Sequence, residues 1–357
     1  MNILAIETSC DETAASIVSA SDDKITVKSN IISSQVELHA KWGGVVPNLA
    51  AREHTKNIIP VITESLETAK ISKDDIDLIA VTHGPGLIPA LLSGVSATKS
   101  LAYAWNKPLM GIHHIEGHIY ANWINNSNIQ FPTLALVVSG GHTQLVLMKD
   151  HCQYEIIGQT QDDAVGEAFD KVARILGLGY PGGPIVSAKA EEFNDKKYNI
   201  ELPRPMLHSG NFNFSFSGIK TAVLYAVKKF REENNLTDDD KLPENFIQEV
   251  CYEFQEAATE VLTKKTMKSA LENNVKSILL AGGVSANKQL RSSLEKETKK
   301  LTGVTFSAPE FEYCLDNAAM IAVAAHYRHK TLSEKELQKL KNGWQNITAT
   351  ANLPITS

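Results

Sequence analysis

Three stretches of mainly apolar residues, separated by polar turns, open the chain. Residues 3–7 and 14–19 flank the polar turn Ser-Cys-Asp-Glu-Thr, and residues 24–34 form a third stretch of the same kind. Apolar runs of this length between turn residues predict β-strands. We therefore expect a sheet whose first three strands follow one another directly in the chain.

The same pattern recurs near residue 134. When LAIETSCDETAASIV from Leu4 is aligned with LALVVSGGHTQLVLM from Leu134, identical Leu, Ala, Ser and Thr residues fall in step without a gap. A further strand-like run follows each copy, at residues 154–160 in the second. Later, AVTHGPG and LAGGVSAN each end a strand in a glycine-rich turn that opens a helix. The repetition predicts two copies of one βββαβα unit, although short apolar strands also resemble one another by chance.

Glycine-rich and polar turns are the features of this repeat that suggest a ligand. A duplicated unit of this kind predicts two lobes with a cleft, and turns after strands present N–H groups that bind phosphate. The glycines of Ser139-Gly140-Gly141 would let a ligand approach the backbone closely. The Gly282-Gly283 turn would lie under the flat surface of an adenine or ribose. One such turn is more often only a turn, but three in one duplicated arrangement favour a nucleotide site.

The segment GIHHIEGHIYA, residues 111–121, carries a histidine pair. His114 and His118 are four residues apart, so on a helix both imidazoles project from one face and could share a divalent cation. Glu116 is two residues after His114, about 200° round the helix, so it points away from that face. The segment therefore differs from the H-E-x-x-H helix of metalloproteases. The alternative is a pair of ordinary surface histidines.

A third ligand for such a cation would have to come from elsewhere in the chain. Asp316, in YCLDNAAM, precedes a helix of small residues. It would complete a two-histidine, one-carboxylate set, which suits Fe(II) or Zn(II) and leaves coordination positions open. The alternative is that Asp316 is simply the N-cap of that helix.

The second half of the chain carries an insertion. Helical patterns over residues 218–233 and 242–272 predict two helices inserted in the second lobe. Alternating Phe212, Phe214 and Phe216 precede them and favour strand core or a hinge over a base-stacking platform. We expect a first lobe at residues 1–130, a second at 131–330 with the helical insertion at about 165–275, and a C-terminal tail at 331–357.

Composition narrows the class of protein. The 357 residues are 43% hydrophobic and 21% charged, which is typical of a folded globular chain. Apolar runs are too short for a membrane helix, and no signal peptide pattern is present. Four scattered cysteines without CxxC spacing suit a reducing compartment, so we expect a cytoplasmic protein. The net charge of −6 argues against nucleic-acid binding over the whole surface.

Taken together, these motifs resemble a known family. The matching segments are IETSCDETAA, GGVVPNLAAREH, THGPGL, HHIEGH, VSGGHTQL, GEAFDKVAR, GYPGGP, FSFSGIKTA, AGGVSAN and DNAAMIA. In this order they resemble the bacterial tRNA N6-adenosine threonylcarbamoyltransferases, formerly called O-sialoglycoprotein endopeptidases. The resemblance implies an α/β, two-lobed actin-like ATPase-superfamily fold with duplicated ribonuclease-H-like units. It also implies transfer of a threonylcarbamoyl group from threonylcarbamoyl-adenylate to N6 of the adenosine beside the anticodon, in tRNAs that read codons beginning with A.

The resemblance also implies site residues. The family's metal ligands fall on His114, His118 and Asp316, for one Fe(II) or Zn(II) ion per subunit. An adenylate-type ligand (threonylcarbamoyl-AMP, AMP or ATP) would be bound by Val137, Val138, Ser139, Gly140, Gly141, Asp170, Gly183 and Asn287. Many members have an aspartate where this chain has Ser187, so that position stays outside the predicted set.

Three further expectations concern mechanism and partners. Asp11 or Glu12, in the first polar turn, would steer or deprotonate the attacking amine. Because tRNA binding needs cations, either a local patch around Lys220, Lys228, Lys229 and Arg231 or partner proteins must supply them. The resemblance implies a paralogous dimerisation partner and a small P-loop ATPase, and no membrane. A small-molecule kinase of the same fold is the alternative function, and an endopeptidase is disfavoured by the position of Glu116.

Overall fold

A computed structural model describes residues 1–21 and 24–355. The described chain forms two compact units. The first unit comprises Met1–Thr133, Met148–Glu155 and Ser307–Ser357, and the second comprises Leu134–Leu147 and Ile156–Phe306. Within the described residues, no helix is long and apolar enough to cross a membrane.

The first unit contains a five-stranded sheet. Its strands are β1 (Asn2–Glu7), β2 (Glu12–Ala20), β3 (Ile25–Ser34), β4 (Leu78–Gly84) and β5 (Leu109–His113), in the order β3-β2-β1-β4-β5. The first three strands pair antiparallel, whereas β1, β4 and β5 run parallel. The three predicted N-terminal strands are confirmed to within two residues at each end.

Helices cover this sheet and bury its apolar side chains. They are α1 (Val36–Ala40), α2 (Pro47–Ala69), α3 (Ile88–Trp105) and α4 (His114–Tyr120). Leu4, Ile17 and Val81 of the sheet form one core with Ile58 and Ile62 of α2. Burial of these side chains fixes the strands, and so it fixes the turns at their ends.

A second five-stranded sheet has most of its residues in the second unit. Its strands are β6 (Thr133–Val138), β7 (Thr143–Asp150), β8 (Gln153–Gln159), β9 (Ser277–Ala281) and β10 (Thr305–Ser307), in the order β10-β9-β6-β7-β8. Read from its other edge, this is the strand order of the first sheet. In each sheet the first three strands are neighbours in chain order, and the fourth and fifth strands lie on the other side of the first. The predicted duplication is therefore confirmed.

Five helices belong to the second unit. They are α5 (Val165–Ile175), α6 (Gly182–Glu191), α7 (Ser217–Glu233), α8 (Glu244–Glu272) and α9 (Lys288–Thr298). The two helices predicted in the insertion correspond to α7 and α8, with starts displaced by one and two residues. Phe214 and Phe216 are fully buried, so these two rings belong to the core and not to a base-stacking surface.

Two helices at the end of the chain return to the first unit. They are α10 (Ala318–Thr331) and α11 (Glu334–Leu340), and α10 packs against β1, β2 and α4. The apolar face of α10 is buried there, which is why residues after 307 belong to the first compact unit. The domain boundaries suggested at residues 130 and 330 stay a prediction, and they differ from the compact units in the position of α10.

Candidate active site

The short helix α4 carries the histidine pair. It begins directly after β5, and the His113 side chain caps it, with Nδ1 accepting a hydrogen bond from the Ile115 N–H at 3.1 Å. The His114 and His118 rings are buried, with centroids 4.7 Å apart in an edge-to-face arrangement. The four-residue spacing therefore brings both imidazoles together on one side of the helix.

Close packing of α4 on α10 brings in the carboxylate. A Cβ added to Gly117 would lie 2.6 Å from Ile321 Cδ1, so only glycine allows this approach without displacement. Asn317 caps α10 by accepting from the Met320 N–H at 3.0 Å. Asp316 Oδ1 instead lies 3.1 Å from His118 Nε2 and 3.5 Å from His114 Nε2. The alternative interpretation of Asp316 as the N-cap is therefore wrong.

The buried carboxylate of Glu7 orients the His114 ring through the nitrogen that faces away from Asp316. Glu7 Oε2 lies 3.1 Å from His114 Nδ1, and Ser9 Oγ lies 3.2 Å from the same nitrogen. Burial alone would lower the pKa of His114, but Asp316 and Glu7 outweigh burial and raise this pKa to about 9. Burial raises the pKa of Glu7, yet His114 outweighs it and the net pKa is lowered. Sequence reasoning missed Glu7, although an acid ending an apolar strand was a signal.

The residues present fit a divalent cation. Ligand atoms of His114, His118 and Asp316 all lie within 4.8 Å of one another. Nδ1 of His118 is buried, and no hydrogen-bond partner for it is found within the described part of the chain. Glu7 holds one nitrogen of His114 and leaves the other turned to Asp316, the arrangement that orients metal-bound histidines. Two imidazoles and a carboxylate are a donor set for Fe(II) or Zn(II).

Glu116 has a different role from its neighbours. Its carboxylate is fully buried, forms an ion pair with Arg328 at 3.0 Å and accepts from the Tyr154 hydroxyl at 2.8 Å. The predicted orientation away from the histidine face is confirmed. Because both carboxylate oxygens are engaged by Arg328, Glu116 stabilises the packing of α4 and does not serve as a base.

The acidic turn between β1 and β2 lies in the same unit. Asp11 is buried, and Glu12 Oε1 accepts from the Ser34 hydroxyl at 3.1 Å. Burial first, then the negative charges of Asp316 and Asp11, raise the pKa of Glu12 well above its usual range. The predicted catalytic acid Glu12 is therefore near enough to the Asp316 carboxylate for that charge to raise its pKa.

The second unit holds the predicted nucleotide-binding turn. Val137 and Val138 lie in β6 with fully buried side chains, so only their backbone is available to a ligand. Ser139 Oγ accepts from the N–H groups of Gly141 at 3.3 Å and His142 at 3.0 Å. Gly140 and Gly141 are exposed, and a Cβ on Gly141 would meet nothing within 4 Å. The turn therefore leaves open space next to its backbone.

Two other glycines pack against this turn. The Gly166 N–H, at the start of α5, donates to the Ser139 carbonyl at 3.2 Å. Gly282 has φ +87°, and a Cβ there would collide with the Val138 carbonyl. Only glycine fits at such a position. The second and third glycine-rich turns named from the sequence thus converge within this unit.

The remaining predicted contacts cluster round α6. Asp170 Oδ1 accepts from the Gly182 N–H at 2.8 Å, and burial raises the pKa of Asp170 despite this bond. Gly183 is the next residue of α6 and has open space beside it. Asn287 Nδ2 donates to Ser187 Oγ at 3.0 Å, while its Oδ1 caps α9. Ser187, which is not in the predicted set, therefore lies next to Asn287, which is.

Comparison with known proteins decides the family. The family model for tRNA N6-adenosine threonylcarbamoyltransferase matches residues 26–323. The chain belongs to this family. A Thermosipho africanus tRNA N6-adenosine threonylcarbamoyltransferase is 48% identical over 344 residues, covering 96% of this chain and 99% of the relative. The Bacillus subtilis relative of the same name is 51% identical over 324 residues, covering 91% and 89%.

A solved structure supports the fold class. HypF from T. kodakarensis aligns with 92% of this chain and 48% of its own, with a TM-score of 0.58 and 13% identity. At this identity the likeness concerns the fold alone, and it agrees with the α/β actin-like architecture of the two sheets. Family membership makes the chain a transferase that modifies tRNA, and the endopeptidase interpretation is no longer needed.

The basic patch considered for tRNA lies on α7 and consists of Lys220, Lys228, Lys229 and Arg231. Lys220 lies 3.3 Å from a carboxylate oxygen of Asp163, and Lys229 lies 3.8 Å from Glu233. Arg231 donates to the Asp240 carbonyl at 2.9 Å. Three of these four cations therefore have contacts within the protein.

Proposed function

We propose that this protein transfers the threonylcarbamoyl group of threonylcarbamoyl-adenylate to N6 of the adenosine beside the anticodon. The substrates are tRNAs that read codons beginning with A, and the leaving group is AMP. The observation that supports a catalytic rather than a scaffolding member of the family is the buried set of His114, His118 and Asp316. A scaffold has no need for three converging ligands backed by a buried carboxylate at Glu7.

His114, His118 and Asp316 would hold one Fe(II) or Zn(II) ion in this proposal. When bound, such an ion supplies Lewis acidity and a fixed anchor for oxygen atoms. Glu7 keeps the proton of His114 on Nδ1, so that Nε2 faces Asp316. The chain's own contribution is therefore a preset donor geometry that needs little rearrangement.

The second unit would bind the adenylate half of the donor. The Gly140 N–H, in the exposed turn of the second unit, and the positive N-terminal end of α6 beside Gly183 suit the phosphate. Asn287 and Gly282 would border the adenosine. Asp170 already accepts from the Gly182 N–H through Oδ1 and also from the Gly183 N–H, so a ribose hydroxyl would share the carboxylate with these two donors.

The reaction is an acyl transfer from a good leaving group. The N6 amine attacks the carbamoyl carbonyl carbon, a C–N bond forms, and the bond from that carbon to the phosphate oxygen of AMP breaks. The amine loses one proton. We assign its acceptor to Asp11 or Glu12, because both lie in the acidic turn and the raised pKa of Glu12 makes its carboxylate a stronger base.

Partner proteins are part of the proposal. Apolar side chains are exposed on two neighbouring helices of the first unit, Ile59 on α2 with Leu92 on α3. A paralogue that dimerises with this chain could bury such side chains, and a small P-loop ATPase would complete the assembly. A partner also offers the basic surface that tRNA requires. Since tRNA is modified where it is used, we place the protein in the cytoplasm.

One assay tests the function. The protein, its partners, threonylcarbamoyl-adenylate and unmodified tRNA are incubated, and the digested tRNA is analysed for threonylcarbamoyladenosine. We expect product with the adenylate donor and release of AMP. If ATP is instead consumed with phosphorylation of a small molecule and no modified nucleoside forms, the kinase alternative replaces this proposal.

A further inference from the structure

A buried histidine outside the ligand set contacts both ends of the acidic turn. His54 lies on α2 and is fully buried. Its Nε2 lies 3.0 Å from the Cys10 carbonyl oxygen, and its Nδ1 lies 2.8 Å from Thr13 Oγ1. Cys10 and Thr13 directly flank Asp11 and Glu12, so one imidazole spans the segment that carries both acids.

The partners settle which nitrogen carries the proton. A carbonyl oxygen only accepts, so Nε2 must donate to Cys10. Burial lowers the pKa of His54, which favours a neutral ring, and Nδ1 is then the acceptor for the Thr13 hydroxyl. The Cys10 carbonyl therefore selects the tautomer protonated on Nε2, and the Thr13 hydroxyl, which can donate or accept, donates to Nδ1.

The two bonds contribute unequally to the geometry of the turn. Thr13 is already fixed by its place in β2, where it pairs with Ser33 of β3. The Cys10 carbonyl, by contrast, belongs to the peptide that leads directly into Asp11, outside either strand. Neighbouring carbonyls in the turn are held by other groups, since the Leu87 N–H donates to Ser9 and the Gln35 N–H to Asp11.

We propose that His54 is a positioning residue, which sets the orientation of Asp11 and Glu12 by holding the Cys10 peptide. This inference rests on the role proposed above for the acidic turn. His54 does not touch substrate or reacting atoms. Removal of the Nε2 donor frees the Cys10 peptide to rotate, and the two carboxylates then lose the geometry needed for proton transfer.

Two substitutions separate the two bonds of His54. In His54→Gln the amide nitrogen reaches the position of Nε2 and donates to Cys10, but the contact with Thr13 is lost. In His54→Asn the amide oxygen reaches the position of Nδ1 and accepts from Thr13, but the contact with Cys10 is lost. Both are polar side chains of similar size, so general loss of packing affects them alike.

The test is single-turnover transfer from threonylcarbamoyl-adenylate to unmodified tRNA by the complete complex. We expect His54→Asn to lower the transfer rate at saturating donor about 100-fold, because misplacement of catalytic groups lowers rates by this order. The donor concentration that gives half-maximal rate should not change. His54→Gln should stay within about fivefold of wild type. In a Glu12→Gln, Asp11→Asn background, His54→Asn should add no further loss.

Each other result has a defined meaning. The inference is overturned if His54→Gln and His54→Asn lower the transfer rate equally and the same loss appears when they are combined with Glu12→Gln, Asp11→Asn. That result would show that His54 has a structural role only. Wild-type transfer by His54→Asn, alongside slow transfer by Glu12→Gln or Asp11→Asn, would also overturn the inference while leaving the role of the acids intact. If Glu12→Gln, Asp11→Asn transfers at the wild-type rate, the acidic turn has no catalytic role and both proposals about it fail.

Discussion

Replacement of Glu7 by glutamine should weaken metal binding without removing any metal ligand. Both oxygens of Glu7 act as acceptors: Oε1 for the Ser9 N–H at 2.5 Å, and Oε2 for Thr82 at 2.5 Å and His114 Nδ1 at 3.1 Å. An amide has only one acceptor oxygen. Whichever way the glutamine side chain is placed at this position, its NH2 group must face a donor.

The size of the effect follows from that conflict. Loss of an oriented partner behind a metal-bound histidine typically lowers metal affinity about 10- to 100-fold. That range corresponds to about 1.4–2.8 kcal/mol of binding free energy. The variant also removes a buried negative charge that lies close to the ligand atoms and would favour a bound cation. We therefore expect a loss of metal affinity in the upper half of this range.

The assay is titration of metal-free protein with Zn(II) in competition with a chelator of known affinity. Thr82→Val is the matched control, because it removes a hydrogen bond from the same carboxylate but leaves the contact with His114 intact. We expect the control to bind within about threefold of wild type. Wild-type affinity in folded Glu7→Gln would refute the argument that Glu7 orients His114.

Three further predictions concern the surroundings of the site. Gly117→Ala should displace α4 from Ile321 and lower the unfolding free energy by about 1–3 kcal/mol, measured by urea denaturation, and unchanged stability would contradict the close packing. Arg328→Leu should lower the unfolding free energy by about 3 kcal/mol, because the Glu116 carboxylate stays buried without its partner. The same denaturation assay measures this loss, and the double variant Glu116→Gln, Arg328→Leu should recover part of it. Burial lowers the pKa of His151 to about 4, so the unfolded chain takes up a proton near pH 6.5 that the folded chain does not. The unfolding free energy should therefore fall as pH drops from about 6.5 towards 4, and His151→Asn should flatten that slope; an equal slope in both proteins would contradict the assignment.

Local pattern was enough to predict part of this architecture. The first strands were predictable because apolar runs and polar turns alternate there, and the duplication was visible because the two copies align without a gap. The spacing of His114 and His118 alone indicated a shared face. The repeat seen when the two copies are aligned also agrees with the strand order of the second sheet, which repeats that of the first.

Other features depend on contacts between distant segments, which local pattern does not encode. Asp316 and Asn317 are both good capping residues, and only the packing of α10 on α4 decides that Asn317 caps and Asp316 is left to the histidines. In the sequence Glu7 is only a polar residue at the end of a strand, and the fold is what brings it next to His114. His54 likewise reads as an ordinary helix residue, because its two partners lie about forty positions earlier.

The dependence of transfer on the buried ligand set is the central claim, and metal depletion tests it most directly. The complete complex is stripped of metal and assayed for threonylcarbamoyladenosine in tRNA, before and after Fe(II) or Zn(II) is restored, with wild type and Asp316→Ala in parallel. We predict that stripped wild type is inactive and recovers with metal, whereas Asp316→Ala, folded to the same extent, does not recover. Full transfer by stripped wild type, or by Asp316→Ala, would contradict the account.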